Sequence, residues 1–242
     1  MPHTAAKSAA QTLSSTDAPT ADFAVARFYM IEGQLRPNKV THSGVIAAMG
    51  SLPRELFVPS TLVGMAYIDE NIPLIAGRSL MQPMILARMI QEADIKPTDR
   101  VLDLAPATGY STLVLASLAA QVVGVEPNSV LEKEAEANIA KFAGGKAEIL
   151  AGAPVEGCAS RAPFDVIFIN GSVEFIPEIL FDQLAEGGRL VAVVRGYGPA
   201  HAAHAGQARL YRKQRDEVSW VSLFDANVGV APGFTAPRGF EF

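Results

Sequence analysis

A single cysteine, Cys158, is all that the 242-residue chain contains. That scarcity excludes an internal disulfide framework and a multi-cysteine metal site, and it fits a reducing compartment. No apolar run approaches the roughly 20 residues that a membrane span requires. No block of basic residues interrupts a balance of 20 basic against 25 acidic side chains, so the electrostatic footprint of nucleic-acid binding is missing. Residues 1–22 are rich in Ala, Ser and Thr, lack the apolar core of a signal peptide and hold too little arginine for a transit peptide, which predicts a disordered tail and a cytoplasmic protein. The histidines His3, His42, His201 and His204 fall in the tail, at a helix start and in the Ala/Gly-rich stretch GPAHAAHAG. No pair of them has a ligand environment, so no metal is expected.

What is present is a hydrophobic content of 49%, ample for a full core. The apolar spacing of FAVARFYMIEG predicts a helix from Phe23 to Gly33, and HSGVIAAMGSL a second from His42 to Leu52 with Ser43 as its cap. The stretch RELFVPSTLVGMAYIDENIPLIAGRSLMQP is broken by prolines and glycine yet too apolar for disorder, and reads as a long ordered loop. Pro83 suits the first turn of a helix through MILARMIQEAD. Beyond it comes an alternating series: strand 100–104, helix 110–119, strand 121–126, helix 129–142, strands 147–151 and 164–169, helix 177–185 and strand 188–194. GQARLYRKQ and EVSWVSLFDA add two strands around a charged turn, whereas PGFTAPRGFEF has no periodic pattern. The fold expected is α/β, a Rossmann-like, mostly parallel sheet with an antiparallel C-terminal edge and an N-terminal helical cap. It forms a single domain over residues 23–242, divided into cap and substrate loop (23–98), cofactor core (99–195) and C-terminal strands and tail (196–242).

The most informative segment is VLDLAPATGY at residues 101–110, an apolar run closed by an acid and a small-residue turn, with a helix following at once. No G-K-[ST] follows the turn, so it is not a phosphate loop of the Walker type, and Ala105, Ala107 and Tyr110 spoil a dinucleotide fingerprint. S-adenosylmethionine has no phosphate and asks only for a tight turn with small side chains, which alanine provides if its φ stays negative. A plain strand-to-helix junction is the alternative. Asp103 and Glu126 both end strands at their carboxyl side, and Glu126 lies about 20 residues past the turn, where a carboxylate takes a ribose diol. Tyr110 either flanks the cofactor or packs in the core, and Asn170 with Gly171 closes the fourth strand at the sheet rim, either as a ligand group or as an ordinary Asn-Gly turn.

Across residues 28–195 the order of motifs resembles the protein-L-isoaspartate O-methyltransferase family. The matching segments are MIEGQLRPNKVT, LPRELFVP, AYIDENIPLIAGRSLMQP, DRVLDLAPATGYSTLVLASL, VVGVE, PFDVIFING, IPEILFDQL and EGGRLVAVV. The resemblance implies a class I methyltransferase fold and transfer of a methyl group from S-adenosylmethionine to the free carboxylate of an isoaspartyl residue in a protein or peptide. The ester then collapses to a succinimide, and the outcome is protein repair. It also implies a cofactor site built from Asp103, Ala105, Ala107, Gly109, Tyr110, Glu126, Gly152, Ala153 and Asn170.

Three departures fall on that site. The family has glycine at the positions of Ala105 and Ala107, a carboxylate where Ala153 stands, and a hydroxyl where Met81 stands. Met81 cannot donate a hydrogen bond to an acceptor carboxylate, whereas Ser79 keeps a hydroxyl two places earlier and Arg78 brings a charge able to grip a carboxylate with two donors. Ser79 and Arg78 are therefore the expected acceptor-site pair. The readings left open are a repair methyltransferase, a methyltransferase with another acceptor, and a catalytically silent relative that binds a protein partner.

Overall fold

A computed structural model describes residues 22–196 and 205–236. Residues 1–21 of the expected tail and the histidines His3, His201 and His204 lie outside these residues, whereas Asp22, assigned to the tail, belongs to the start of α1. Helix α1 (Phe23–Met30) begins under the Asp22 carboxylate, which accepts from the Ala24 and Val25 amides, and passes into a wider turn over Ile31–Leu35. Helix α2 (Ser43–Ser51) is capped by His42 and not by Ser43: the imidazole Nδ1 accepts from the Val45 amide. The ring nitrogen reaches that amide from one residue earlier, so the serine is already inside the helix. The expected loop resolves into short 3₁₀ turns at Arg54–Phe57 and Ser60–Met65 and a two-stranded ribbon, β1 (Ile72–Pro73) with β2 (Ser79–Leu80). Pro83 opens α3 (Pro83–Glu92), where its missing N–H costs nothing.

The alternating series follows as β3 (Arg100–Leu104), α4 (Tyr110–Ala116), β4 (Gln121–Glu126), α5 (Ser129–Phe142), β5 (Ala147–Ala151), β6 (Phe164–Val173), α6 (Glu178–Asp182), β7 (Leu184–Val194), β8 (Gly206–Gln214) and β9 (Glu217–Ala226). Strand order is β5-β4-β3-β6-β7-β8-β9, parallel through β7, with β8 and β9 antiparallel at the edge. Within β3, Val101 faces the core formed with α1 to α5, while Leu102 and Leu104 face a second core closed by Leu180 of α6 and by Phe234. That period of two is why both faces of β3 are apolar. Asp103 shares the side of Val101 and so points at α4.

Boundaries of α4, α6, β6 and β7 differ from expectation. Helix α4 stops at Ala116 instead of residue 119, and α6 covers only Glu178–Asp182 because Leu184 already belongs to β7. Strand β6 runs on to Val173, so Asn170 and Gly171 lie within it and form no turn; its pairing with β7 is irregular between Phe168 and Ser172. The cause is the C-terminal segment, which comes back as an extra partner: the Ser172 amide donates to Gly229 O at 2.8 Å and the Ala231 amide to Ser172 O at 2.8 Å. Among the described residues no helix is long and apolar enough to cross a membrane.

The chain reverses direction across the sheet at β3, whose neighbours β4 and β6 are wound to opposite sides; this is the switch point where open α/β sheets bind ligands. The turn from β3 to α4 occupies it. Its alanines do not keep a negative φ: Ala105 lies at 63° and Ala107 at 54°, both left-handed, as is Gly109 at 86°. The path is imposed by contacts at each end, and L-residues carry about 1–2 kcal/mol of strain each in that region. At Gly109 there is also no space, since a β-carbon would stand 3.2 Å from Ala135 Cβ and 3.3 Å from its Cα on α5. Gly109→Ala is expected to lower stability by about 1–3 kcal/mol. Ala107→Gly relieves strain that offsets the lost methyl and the added chain entropy, leaving stability within about 1 kcal/mol of wild type. Urea unfolding of the two variants checks this; equal losses in both would mean that the turn is unstrained.

Candidate active site

Two carboxylates without exposed surface end β3 and β4, Asp103 and Glu126. Asp103 Oδ2 accepts from Ser111 Oγ at 2.7 Å and from Thr112 Oγ1 at 2.8 Å, both on the first turn of α4. Asn170 Nδ2 donates to the same Ser111 Oγ at 2.7 Å, so one chain of hydrogen bonds ties β6 through α4 to β3. Asp103 Oδ1 has no partner. Burial pushes the Asp103 carboxyl up to about 7, and the two hydroxyl donors oppose the shift only in part.

Glu126 is held from three sides. Its Oε2 accepts from the Ala107 amide at 2.8 Å, and its Oε1 accepts from the Asn128 amide at 3.2 Å and from Arg78 Nη1 at 2.7 Å. Arg78 Nη2 donates to Ala105 O at 2.6 Å. The pair is nearly dry, with side chains 9% and 0% exposed. Sequence reasoning assigned Glu126 to a ribose and Arg78 to an acceptor carboxylate; the structure joins these two residues to each other. The guanidinium arrives from the β1–β2 turn, where Ala76 and Gly77 have φ of 54° and 70°.

Ser79, Met81, Gly77, Arg78, Asn170 and Gly229 line a cavity of about 10 Å³, room for about one water molecule. Met81 is buried, and its carbonyl accepts from Arg54 Nη2 at 2.7 Å. Arg54 is itself fully buried, with Nε on Ala66 O at 2.7 Å and its guanidinium 4.9 Å from the Tyr110 ring centre. Tyr110 packs edge-on against Phe57, with ring centres 5.1 Å apart, so it belongs to the core. Gly152 and Ala153 are exposed just beyond β5, and Ala153 offers only a methyl group there. Arg36 pairs at the surface with Glu32, whereas Asp69 Oδ1 takes the Met84 amide at 3.4 Å.

The structure thus gathers Arg78, Ser79, Asp103, Ala105, Ala107, Gly109, Glu126 and Asn170 at one sheet edge. Sequence reasoning passed over Ser111 and Thr112, which brace Asp103; it read Pro127 and Asn128 as the turn presenting Glu126, and Asn128 both donates its amide to Glu126 and caps α5 through its side chain. A visible signal existed for each: two adjacent hydroxyls at a helix start, and an Asn one residue before one. Arg54 carried no signal, since a lone arginine in LPRELFVP reads as surface.

This sheet, with its acid-ended β3 and β4 flanking a tight turn, defines a class I methyltransferase fold. The family model for protein-L-isoaspartate(D-aspartate) O-methyltransferase matches residues 29–227, and the chain belongs to that family. Among similar proteins, the protein-L-isoaspartate O-methyltransferase of Koribacter versatilis is 36% identical over 212 residues, 87% of this chain and 95% of its own length. That of Methylorubrum extorquens is 38% identical over 200 residues, 82% of this chain and 84% of its own. A Plasmodium falciparum protein described as a protein-L-isoaspartate O-methyltransferase, solved with S-adenosyl-L-homocysteine bound, superposes with a TM-score of 0.69 at 19% identity, over 84% of this chain and 96% of that one.

Asp103 makes the site pH-sensitive. Its folded pKa of about 7 lies above an ordinary carboxyl value of about 3.9, so the native state holds the proton more tightly than the unfolded chain. Its contribution to stability is complete below about pH 4 and is lost as pH rises through about 7. The difference in thermal midpoint between wild type and Asp103→Asn should therefore fall from pH 4.5 to pH 8. A difference that stays level or rises over that window would mean that Asp103 is ionised throughout.

Proposed function

We propose that this chain is an S-adenosylmethionine-dependent carboxyl methyltransferase acting on isoaspartyl residues of proteins and peptides. The observation that carries the reading is a buried carboxylate, Glu126, facing a small-residue turn at the switch point of a family member's sheet. The side chains present fit the cofactor at most points. Ala105, Ala107 and Gly109 keep bulk out of the turn, Glu126 is a carboxylate for ribose hydroxyls, and Asn170 stands at the rim. Ala153 adds no polar contact, and Arg78 must leave Glu126 before hydroxyls can take its place.

When bound, S-adenosylmethionine supplies a methyl group on a positively charged sulfur, an already activated donor. The protein's own work is then positioning. An isoaspartyl carboxylate is a nucleophile without a general base, and none is assigned. Ser79 Oγ donates to one of its oxygens, and Arg78, once free, takes the other with a charge-assisted hydrogen bond. Buried Met81 closes the cleft with an apolar wall, which keeps water off the reacting oxygen. Orientation of two bound partners accounts for most of the acceleration in such a site.

A second reading, a catalytically silent relative, is favoured by one observation: Glu126 has an internal partner already. Transfer of labelled methyl from S-adenosylmethionine to an isoaspartyl peptide separates the two. The enzyme reading expects turnover by wild type and, in Ser79→Ala, a kcat/KM lower by about 10- to 100-fold, the loss of one hydrogen bond to a charged group. No transfer by wild type at saturating cofactor and peptide would establish the silent reading.

A further inference from the structure

Glu126 and Arg78 each have a use in the proposed chemistry, yet they use each other. The contact is more than a surface pairing. Arg78 spends both terminal nitrogens inside the turn, Nη1 on Glu126 at 2.7 Å and Nη2 on Ala105 O at 2.6 Å, so its planar fork spans the carboxylate and the first left-handed residue of the turn. Donors from Ala107, Asn128 and Arg78 together engage both Glu126 oxygens. A vicinal diol would need to donate to those same oxygens. The cleft on the other side of Arg78 has about 10 Å³, whereas ligand pockets run to about 300–1,000 Å³. The loop that delivers the guanidinium turns through two consecutive left-handed residues, Ala76 and Gly77, and is closed by the two-residue ribbon, by the Leu74 amide on Arg78 O at 2.8 Å and by the Arg78 amide on Ile75 O at 3.0 Å.

We propose that Arg78 is an internal occupant of the nucleoside seat: its guanidinium holds the place of the ribose hydroxyls on Glu126, and a nucleoside ligand binds by displacing it. The inference rests on the proposed function for the identity of that ligand. It makes the cofactor's affinity a competition between a diol and a tethered cation for one carboxylate. An apparent affinity reduced by the fraction of molecules in the open form follows directly. Only the ion pair, and no general weakness of the turn, then limits binding.

The test is calorimetric titration of S-adenosylhomocysteine into wild type, Arg78→Gln and Arg78→Lys. Arg78→Gln removes the charge and should bind at least tenfold more tightly than wild type. Arg78→Lys keeps a charge on Glu126, which safeguards folding, but it replaces the two-point fork by a single ammonium and should bind about threefold or more tightly. If Arg78→Gln does not fold, Arg78→Lys decides. Affinities in the folded variants equal to or weaker than that of wild type overturn the proposal, and so does an absence of heat in all three proteins. The outcome for the proposed function is separate: tighter binding by the variants with no methyl transfer by wild type or by Arg78→Lys leaves the internal occupant standing and overturns the enzyme reading.

Discussion

A carboxylate with no exposed surface must be met by donors, and the arrangement around Glu126 is what meets that demand. Removing the positive partner of a buried ion pair costs about 3–5 kcal/mol, because the remaining charge stays desolvated. The Ala107 amide can face the carboxylate only if the turn takes its left-handed path, and the Asn128 amide only if α5 starts where its own side chain caps it. Arg78 completes the set from a separate ribbon. Turn, helix start and β1–β2 ribbon are thereby fixed to one point, the carboxyl end of β4.

Asp103 follows a different logic one strand away. It faces hydroxyls instead of a cation, and burial keeps its proton on up to about pH 7. Two acids at neighbouring strand ends therefore have opposite roles. Asp103 is a brace that locks α4 and β6 to β3, and Glu126 is a charge with a replaceable partner. The left-handed alanines belong to the same picture, since the amide–carboxylate contact and the close approach of α5 at Gly109 impose a backbone path that alanine tolerates only under strain.

Most of the scaffold was legible in the residues. Strands β3, β4 and β5, helix α5 and the β8–β9 pair lie at the expected bounds because each has a clean period bordered by turn or cap residues. The misses have local causes. Residue 43 lost the cap to His42 because an imidazole can accept as a serine hydroxyl does, and β6 overran residue 169 because a segment 60 residues downstream pairs with it, which no local pattern carries. The candidate residues were placed by position along the strands, and most of them meet at one end of the sheet. Their partners were not, since the meeting of Arg78 and Glu126 depends on a turn at Ala76 and Gly77 that spacing does not reveal. The sign of φ at Ala105 and Ala107 was hidden too, since an alanine does not signal a left-handed path as a glycine does.

The claim that Glu126 is a single seat contested by a cation and a nucleoside is tested most directly by a crystal structure of wild type grown with saturating S-adenosylhomocysteine. The account predicts ribose hydroxyls on Glu126 and the Arg78 guanidinium moved off it toward Ser79 and Asn170. A bound nucleoside with the Arg78–Glu126 contact intact would contradict it.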